Sequence, residues 1–595
     1  MRLRSLIDEG FEKFGHRISI SRPDFNVGNR TFHFLLHAWD PLATFLHGLL
    51  PPAHPEGLAP ATAYATAWLD AFDAPARSHG VAKIVEGARS GENEAWEGMA
   101  TGMRAFRLAA LIDAAARSDE PNDAFLQRLV DSLHFHFEVL GQPGFFQSWS
   151  NHGLYQSLGL LSAGARFPWL AGGDRLALLA RDRLEEMLAT HFDADGVHLE
   201  HSPTYHFNLL GSLIGARNAG LLEGSKAALA ISGAEQALSW MVTPAGRLAA
   251  FGDSWPAPVR QDLAAAARFR DPVLRYLTSD GAIGEPPESG VKFYKNAGYA
   301  FARILDRELG ETADQASYLA QAGAFHSRVH KHADNLGFIW SEGETDILVE
   351  PGRYGYLGRV APGDPLHDRG HWYADPKRIY VESTRAHNCV EVDGESHLRK
   401  GATPFGGAIR QAQQSNELIV FASAAPLDTT VSQERILILK PRAFLLVLDH
   451  LIASDGVHDF RQWFQLDAAW SAAASKSGYL ATTGSRTLTV TDLTGQAEIQ
   501  PVRCAQVEPD LQGWVSVKDG ELTPASSLCL RQSGATARFA TLFALGGGVA
   551  GDPELWEEAA TTRVISWSQD GARTLIRLTE TPIGRIKAQM SRQPA

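Results

Sequence analysis

Around Gly284-Glu285-Pro286-Pro287-Glu288-Ser289-Gly290 the hydrophobic period of the chain switches, and the two sides of the switch demand different kinds of layer. On the N-terminal side apolar residues recur at helical spacing. Leu176, Leu179, Ala180, Leu184, Met187 and Leu188 form one stripe, with Asp174 placed as its N-cap, and Trp96, Met99, Met103, Phe106 and Ala110 form another. The same pattern predicts helices at roughly 31–50, 60–75, 121–140, 152–165, 204–221, 226–242 and 258–276. On the C-terminal side the runs are short and alternating or β-branched. Arg435-Ile436-Leu437-Ile438-Leu439 and Phe444-Leu445-Leu446-Val447-Leu448 flank Lys440-Pro441-Arg442-Ala443, which reads as a hairpin connection. Thr487-Leu488-Thr489-Val490-Thr491 alternates like a half-buried strand. At 595 residues the chain is too long for one core. The expected organisation is a helical domain over 1–283 and an antiparallel β-sandwich over 284–595. Amphipathic helices with short connections fit a bundle, a solenoid or a closed ring of helix pairs, and periodicity alone does not choose among them.

A formal charge of −13 argues against nucleic acid as a partner, whose footprint is a basic patch. It does not exclude an acidic sugar, because a cleft needs local rather than net positive potential. Arg328, Arg353, Arg359 and Arg385 lie near the histidine motifs described below and can supply it, unless they are ordinary surface arginines. No stretch approaches the ~18 apolar residues of a membrane helix, so no membrane partner is expected. The N-terminus carries two arginines but no signal-peptide core, which reads as cytoplasmic, or as periplasmic or exported if the true start lies elsewhere. Cys389, Cys504 and Cys529 are too few for a disulfide framework. A homodimer is left open.

Four motifs carry residues suited to proton transfer. Asn151-His152-Gly153 follows Ser150 and reads either as a helix start or as two neutral donors for a carboxylate. Glu200-His201-Ser202-Pro203-Thr204-Tyr205-His206 places a tyrosine just inside a helix, where the positive end of the helix dipole favours phenolate; the plain alternative is a packed aromatic. His330 and His332, followed by Asp334, are spaced to share one face of a strand. Glu350-Pro351-Gly352-Arg353-Tyr354-Gly355-Tyr356 and then His387-Asn388 follow. Two histidines and a carboxylate leave an open position suited to zinc, although a chance His-x-His pair is more often structural.

The order and context of these motifs resemble the heparinase II/III family of polysaccharide lyases. The resemblance extends to Phe251-Gly252-Asp253-Ser254, Asp346 to Gly352, Val390 to Gly394 and Lys440 to Asp449, and covers roughly 140–460. It implies an α+β multidomain fold: an N-terminal (α/α) toroid of helix pairs followed by a large antiparallel β-sandwich. It implies cleavage of a uronic-acid polysaccharide or oligosaccharide by β-elimination, leaving a 4,5-unsaturated uronate. The implied catalytic residues are Asn151 and His152, which neutralise the substrate carboxylate, and Tyr205 and His330, which act as base and acid in an order left open. Glu200, His206, Arg353 and Tyr356 are the implied substrate-binding residues. A mainly structural Zn2+ is implied on His332, Glu350 and His387. Two departures stand out: Glu350 replaces the family's aspartate, and Leu209 stands where some members carry arginine.

Two alternatives remain at this stage. A glycoside hydrolase would need a carboxylate pair across the sugar, for which Glu200 and Asp253 are the candidates. A non-catalytic glycan-binding or exopolysaccharide-assembly protein would not need the Tyr205 and His330 pair.

Overall fold

The computed structural model describes residues 3–48, 55–91, 93–306, 308–546, 549–559, 561–569, 571–582 and 584–594. Helices run as far as Pro272–Thr278, and the first strand of the β half is Gly290–Tyr294. The chain forms two compact units, one of 1–192 with 209–231 and the other of 193–208 with 232–595. No helix among the described residues is long and apolar enough to cross a membrane.

The first unit is helical. Its long helices are Gly98–Ala116, Asp123–Gly141, Asn151–Arg166 and Gly173–His191. Gly98–Ala116 and Asn151–Arg166 approach so closely that a Cβ on Gly159 would lie 2.0 Å from the Gly102 carbonyl oxygen, which explains two glycines inside helices. Arg104 is buried among Trp68, Trp96 and His136. It donates to the His37 and Ala95 carbonyls and lies 4.1 Å over the Trp68 ring. Burial pulls its pKa down to about 9, so packing and carbonyl contacts hold this cation.

Several helix boundaries differ from the expectation, for local reasons. Asp174 lies in the first turn of Gly173–His191 and does not cap it; Gly172, at φ 72, holds the cap position. The helix expected over 31–50 is broken into Arg30–His37 and Ala43–Gly48 by Trp39 at φ 65 and by Pro41, and positions 49 and 50 lie outside the described residues. The stretch expected as one helix over 258–276 splits into Leu263–Ala266 and Pro272–Thr278. Each starts on its own aspartate cap, Asp262 or Asp271.

The second unit is dominated by antiparallel sheet. Its central sheet has eight strands, and the Val431–Lys440 and Phe444–Ala453 pair forms the expected hairpin, with Lys440 opposite Phe444. Arg486–Asp492 is also the expected strand. The run Phe444 to Leu448 is apolar throughout because this sheet is covered on both faces. Leu445 and Val447 enter a core with Trp340, Phe464 and Phe543, while Leu446 and Leu448 enter a second core with Ile565, Trp567 and Ile576 of the C-terminal four-stranded sheet. Each such side chain contributes about 1.5–3 kcal/mol on burial.

Arg435 crosses from the central sheet toward the loops that matter chemically. Its guanidinium pairs with Asp449 at 2.7 and 2.8 Å and donates to the carbonyls of Leu336 and Asn388. Asn388 in turn donates to the Phe338 and Val349 carbonyls, 2.8 Å each, so the segments carrying Glu350 and His387 are tied to the core.

Candidate active site

Three segments of the second unit meet at one point. Gly252 sits at φ +53, and a Cβ there would lie 2.5 Å from the His330 carbonyl oxygen and 2.7 Å from that of His201. Only glycine fits. Ser202 Oγ donates to the Asp253 carbonyl (2.9 Å), and Ser254 Oγ accepts from Thr204 N–H (3.1 Å) at the start of helix Pro203–Asn218. His201 binds the Val329 carbonyl through Nδ1 (3.1 Å) and accepts from His326 N–H through Nε2 (3.0 Å). Burial lowers its pKa to about 3, so it is a neutral brace. Together these bonds clamp the Glu200–Tyr205 segment, the Phe251–Ser254 turn and the Arg328–Lys331 turn.

His330 and His332 do not lie on a strand, contrary to the expectation. His330 is at φ +55 inside a turn closed by Lys331 N–H to the Arg328 carbonyl (3.4 Å), so the two imidazoles leave the chain toward different partners. The His330 ring stacks on Tyr205, with centroids 3.5 Å apart and planes 16° apart. Its Nδ1 lies 2.9 Å from Glu200 Oε2, so a carboxylate stands beside the imidazole.

The Tyr205 hydroxyl is 2.8 Å from that of Tyr356, and the Tyr356 hydroxyl donates to Asp253 Oδ2 (2.8 Å). Tyr356 has one proton and gives it to a carboxylate, so Tyr205 is the donor in the first bond. Asp253 Oδ1 also takes His332 Nε2–H (2.9 Å) and Arg378 (2.5 Å). Burial opposes its ionisation, but the Arg378 charge and the His332 bond hold its carboxyl well below the usual range. Tyr205 differs from the expectation. Burial raises its pKa well above that of an ordinary phenol, Arg353 offsets only part of this, and the resting group is protonated.

The other expected residues fall into four groups. Arg353 lies over Trp255 (4.2 Å) and Tyr356 (4.9 Å) and pairs with Asp519, so it belongs to the same cluster. Arg385 pairs with Asp510 (3.3 Å), and Arg359 is exposed. His206 is buried. It binds the Ala234 carbonyl through one nitrogen and His198 N–H through the other, which makes it a brace for the segment before Glu200. Asn151 and His152 lie in the first unit. Ser150 caps their helix, Asn151 is buried, and His152 Nδ1 is 2.8 Å from Glu97.

The metal set also differs from the expectation. Asp334, Glu350 and His387 are the buried residues whose ligand atoms lie within 4.8 Å of one another. The His332 ring is 5.3 Å from that of His387, and its Nε2 is committed to Asp253. His332 Nδ1, His387 Nε2 and Glu350 Oε1 are nevertheless buried without hydrogen-bond partners, which native proteins rarely tolerate. Nitrogen and oxygen donors with a carboxylate behind one imidazole are what a zinc-type ion requires. Asp334, Glu350 and His387 therefore fit a metal ion, with Asp334 in place of the expected His332.

The sequence reading missed Arg378. Its one local signal is the i,i+4 pair with Glu382 (2.7 Å) on helix Pro376–Glu382, capped by Asp375. Asp253 is expected from sequence as part of a turn and as one half of a hydrolase carboxylate pair, whereas its contacts with Tyr356, His332 and Arg378 span sequence distances that leave no periodic trace.

With this geometry described, comparison with known proteins adds the following. The family described as Heparinase II/III N-terminus matches residues 61–271, and the one described as Heparinase II/III-like, C-terminal matches residues 286–568. The chain is 22% identical over 351 residues to a heparin-sulfate lyase of Pedobacter heparinus, a stretch that is 56% of this chain and 49% of the relative. It thus spans about half the length of that relative. Among solved structures, heparinase III aligns with a TM-score of 0.72 at 13% identity, over 98% of this chain and 86% of the other. The heparan sulfate lyase HepC from Pedobacter heparinus aligns with a TM-score of 0.64 at 18% identity, over 100% of this chain and 89% of the other. At such identities the structural likeness establishes the fold: a helical N-terminal region followed by a large antiparallel β domain.

Proposed function

We propose, for a chain that belongs to the heparinase II/III family, that it is a lyase cleaving uronic-acid glycans by β-elimination. The observation that supports this most is the stacked Tyr205 and His330 pair, with Glu200 behind the imidazole and the Tyr356–Asp253 chain behind the phenol. Binding alone needs no such pair of proton-transfer groups.

In the proposed reaction His330 Nε2 takes the proton from C5 of the uronate. The C5–H electrons form the C4–C5 double bond, the C4–O bond breaks, and Tyr205 gives its proton to the departing oxygen. Burial keeps Tyr205 protonated, which suits an acid better than a base. The intermediate charge gathers on the substrate carboxylate, and Asn151 and His152 are assigned to neutralise it as hydrogen-bond donors. A metal ion on Asp334, Glu350 and His387, with His332 beside them, would supply fixed positive charge that holds these loops together.

The hydrolase alternative is disfavoured. Asp253 is 2% exposed and accepts from Tyr356, His332 and Arg378, so it cannot flank a sugar. Incubation with a panel of uronate polymers and short oligomers decides between the two. A lyase produces the ultraviolet absorbance of an unsaturated uronate, whereas a hydrolase releases reducing ends without it.

A further inference from the structure

The charges around Tyr205 and His330 are matched with one exception. Arg353 has Asp519, Lys331 has Asp334, and Arg378 is shared between Asp253 and Glu382. Arg399 also pairs with Glu382 (2.9 Å) and donates to the Lys331 carbonyl (2.8 Å), beside the turn that carries His330. Arg328 opens that same turn, and among the described residues it has no carboxylate partner. Its guanidinium instead lies over the Trp372 ring, 4.4 Å from the centroid, and Arg328 is half-buried.

An arginine in ordinary solvent contact would leave its fork free to wander. Here the Trp372 ring covers one side of the guanidinium, and a second cation, Arg399, stands near it. Burial and then the Arg399 charge depress the Arg328 pKa, and the nearby Glu382 charge offsets part of this, which leaves a partly desolvated positive position. The platform is also joined to the reacting group. Trp372 is followed by Tyr373, whose ring stacks on Tyr356 at 4.9 Å and 22°, and Tyr356 holds the Tyr205 hydroxyl. Arg328 therefore stands two residues before His330 and is linked through Trp372, Tyr373 and Tyr356 to the Tyr205 hydroxyl, and its guanidinium has the planar fork that binds oxyanions.

We propose that Arg328, held on Trp372, binds an anionic substituent, a carboxylate or a sulfate, on the sugar adjoining the cleaved uronate. This rests on the lyase reading and deepens it: the preferred substrate carries acidic groups on neighbouring sugars, not on alternate ones only. A guanidinium accepts either oxyanion geometry, so the two sources are separated by substrate and not by the site. Lys in place of Arg328 keeps the charge but loses both the planar fork and the stack.

The test compares wild type, Arg328→Gln and Arg328→Lys on three oligosaccharide series. In these the sugar next to the uronate is neutral, bears a carboxylate, or bears a sulfate. The readout is kcat/KM from unsaturated-uronate absorbance. The proposal expects wild type to favour one or both acidic series over the neutral one. In Arg328→Gln that preference ratio falls about tenfold or more, mainly through KM, and Arg328→Lys recovers part of it. Whichever acidic series shows the larger fall identifies the anion.

A second measurement keeps the two readings separable: calorimetric binding of the same oligosaccharides to Tyr205→Phe with and without Arg328→Gln. Loss of acidic-series binding on removing Arg328, together with no unsaturated product from any series with the wild-type protein, would retain the anion site and reject the lyase. An unchanged preference ratio or unchanged binding in folded Arg328→Gln overturns the anion site.

Discussion

Replacing Asp253 with asparagine changes one atom at the centre of the site, and the structure indicates what that atom carries. The wild-type carboxylate accepts from Tyr356 on one oxygen and from His332 and Arg378 on the other. Burial lowers the His332 pKa to about 4, so at neutral pH it is a neutral N–H donor and Arg378 is the one cation on the carboxylate. An asparagine must keep its oxygen toward Arg378 and His332, because the opposite orientation sets donor against donor. Its NH2 then faces Tyr356, whose hydroxyl becomes an acceptor there and turns its proton toward Tyr205. The direction of the hydroxyl chain is reversed, and Tyr205 loses its acceptor.

Two hydrogen bonds to a charged acceptor become bonds to a neutral one, at about 1 kcal/mol each, and the buried Arg378 keeps only Glu382. We expect Asp253→Asn to lose about 2–4 kcal/mol of stability in denaturant titrations at pH 7 and about 10- to 100-fold in kcat. The sign of the pH dependence follows from the depressed carboxyl: the stabilisation is complete above the ordinary carboxylate pKa near 4 and decays as pH falls below it. The gap between wild type and variant should therefore be flat from pH 5 to 8 and close in acid. Equal stability at pH 7, or a gap that persists unchanged at low pH, refutes the argument.

Three further outcomes are expected. Tyr205→Phe should lower unsaturated-uronate formation by ~10²–10⁴ while the far-ultraviolet circular dichroism stays that of wild type; wild-type turnover would remove Tyr205 from the mechanism. Chelator treatment, and separately Glu350→Gln, should lower the melting temperature by several degrees while kcat of the protein that stays folded changes by less than about threefold, and elemental analysis of untreated protein should find about one transition metal ion per chain. A melting temperature indifferent to chelation counts against the metal. Gly252→Ala should give little folded protein or a protein without activity, since its Cβ has no space between two carbonyls. Normal yield and activity there would show that the three segments are not locked as described.

Much of the fold could be read from local pattern, because helix stripes and hairpin signals are local. Phe444 to Leu448 was recognisable as strand from composition, though not as a strand covered on both faces, since the second cover comes from Ile565 and Trp567 far along the chain. The Glu200–Tyr205 and His330–His332 segments were recognisable as chemistry because the residue types are unusual together. Their directions were not. His330 at positive φ broke the strand reading, and the phenolate expectation for Tyr205 weighed the helix terminus without the burial that only packing supplies. His206 shows the reverse case, in which a residue that the motif offers for substrate is buried and holds a backbone carbonyl.

The crowding at Gly252 has a consequence for anyone moving this chemistry elsewhere. The segments bearing Tyr205 and His330 both crowd Gly252 with main-chain oxygens, so a choice of side chains on a foreign scaffold does not by itself recreate their spacing. A graft of Glu200–Tyr205 alone carries the phenol without the imidazole or the template. The smallest portable unit is the discontinuous trio of Glu200–Tyr205, Phe251–Ser254 and Arg328–Lys331, transplanted together or not at all.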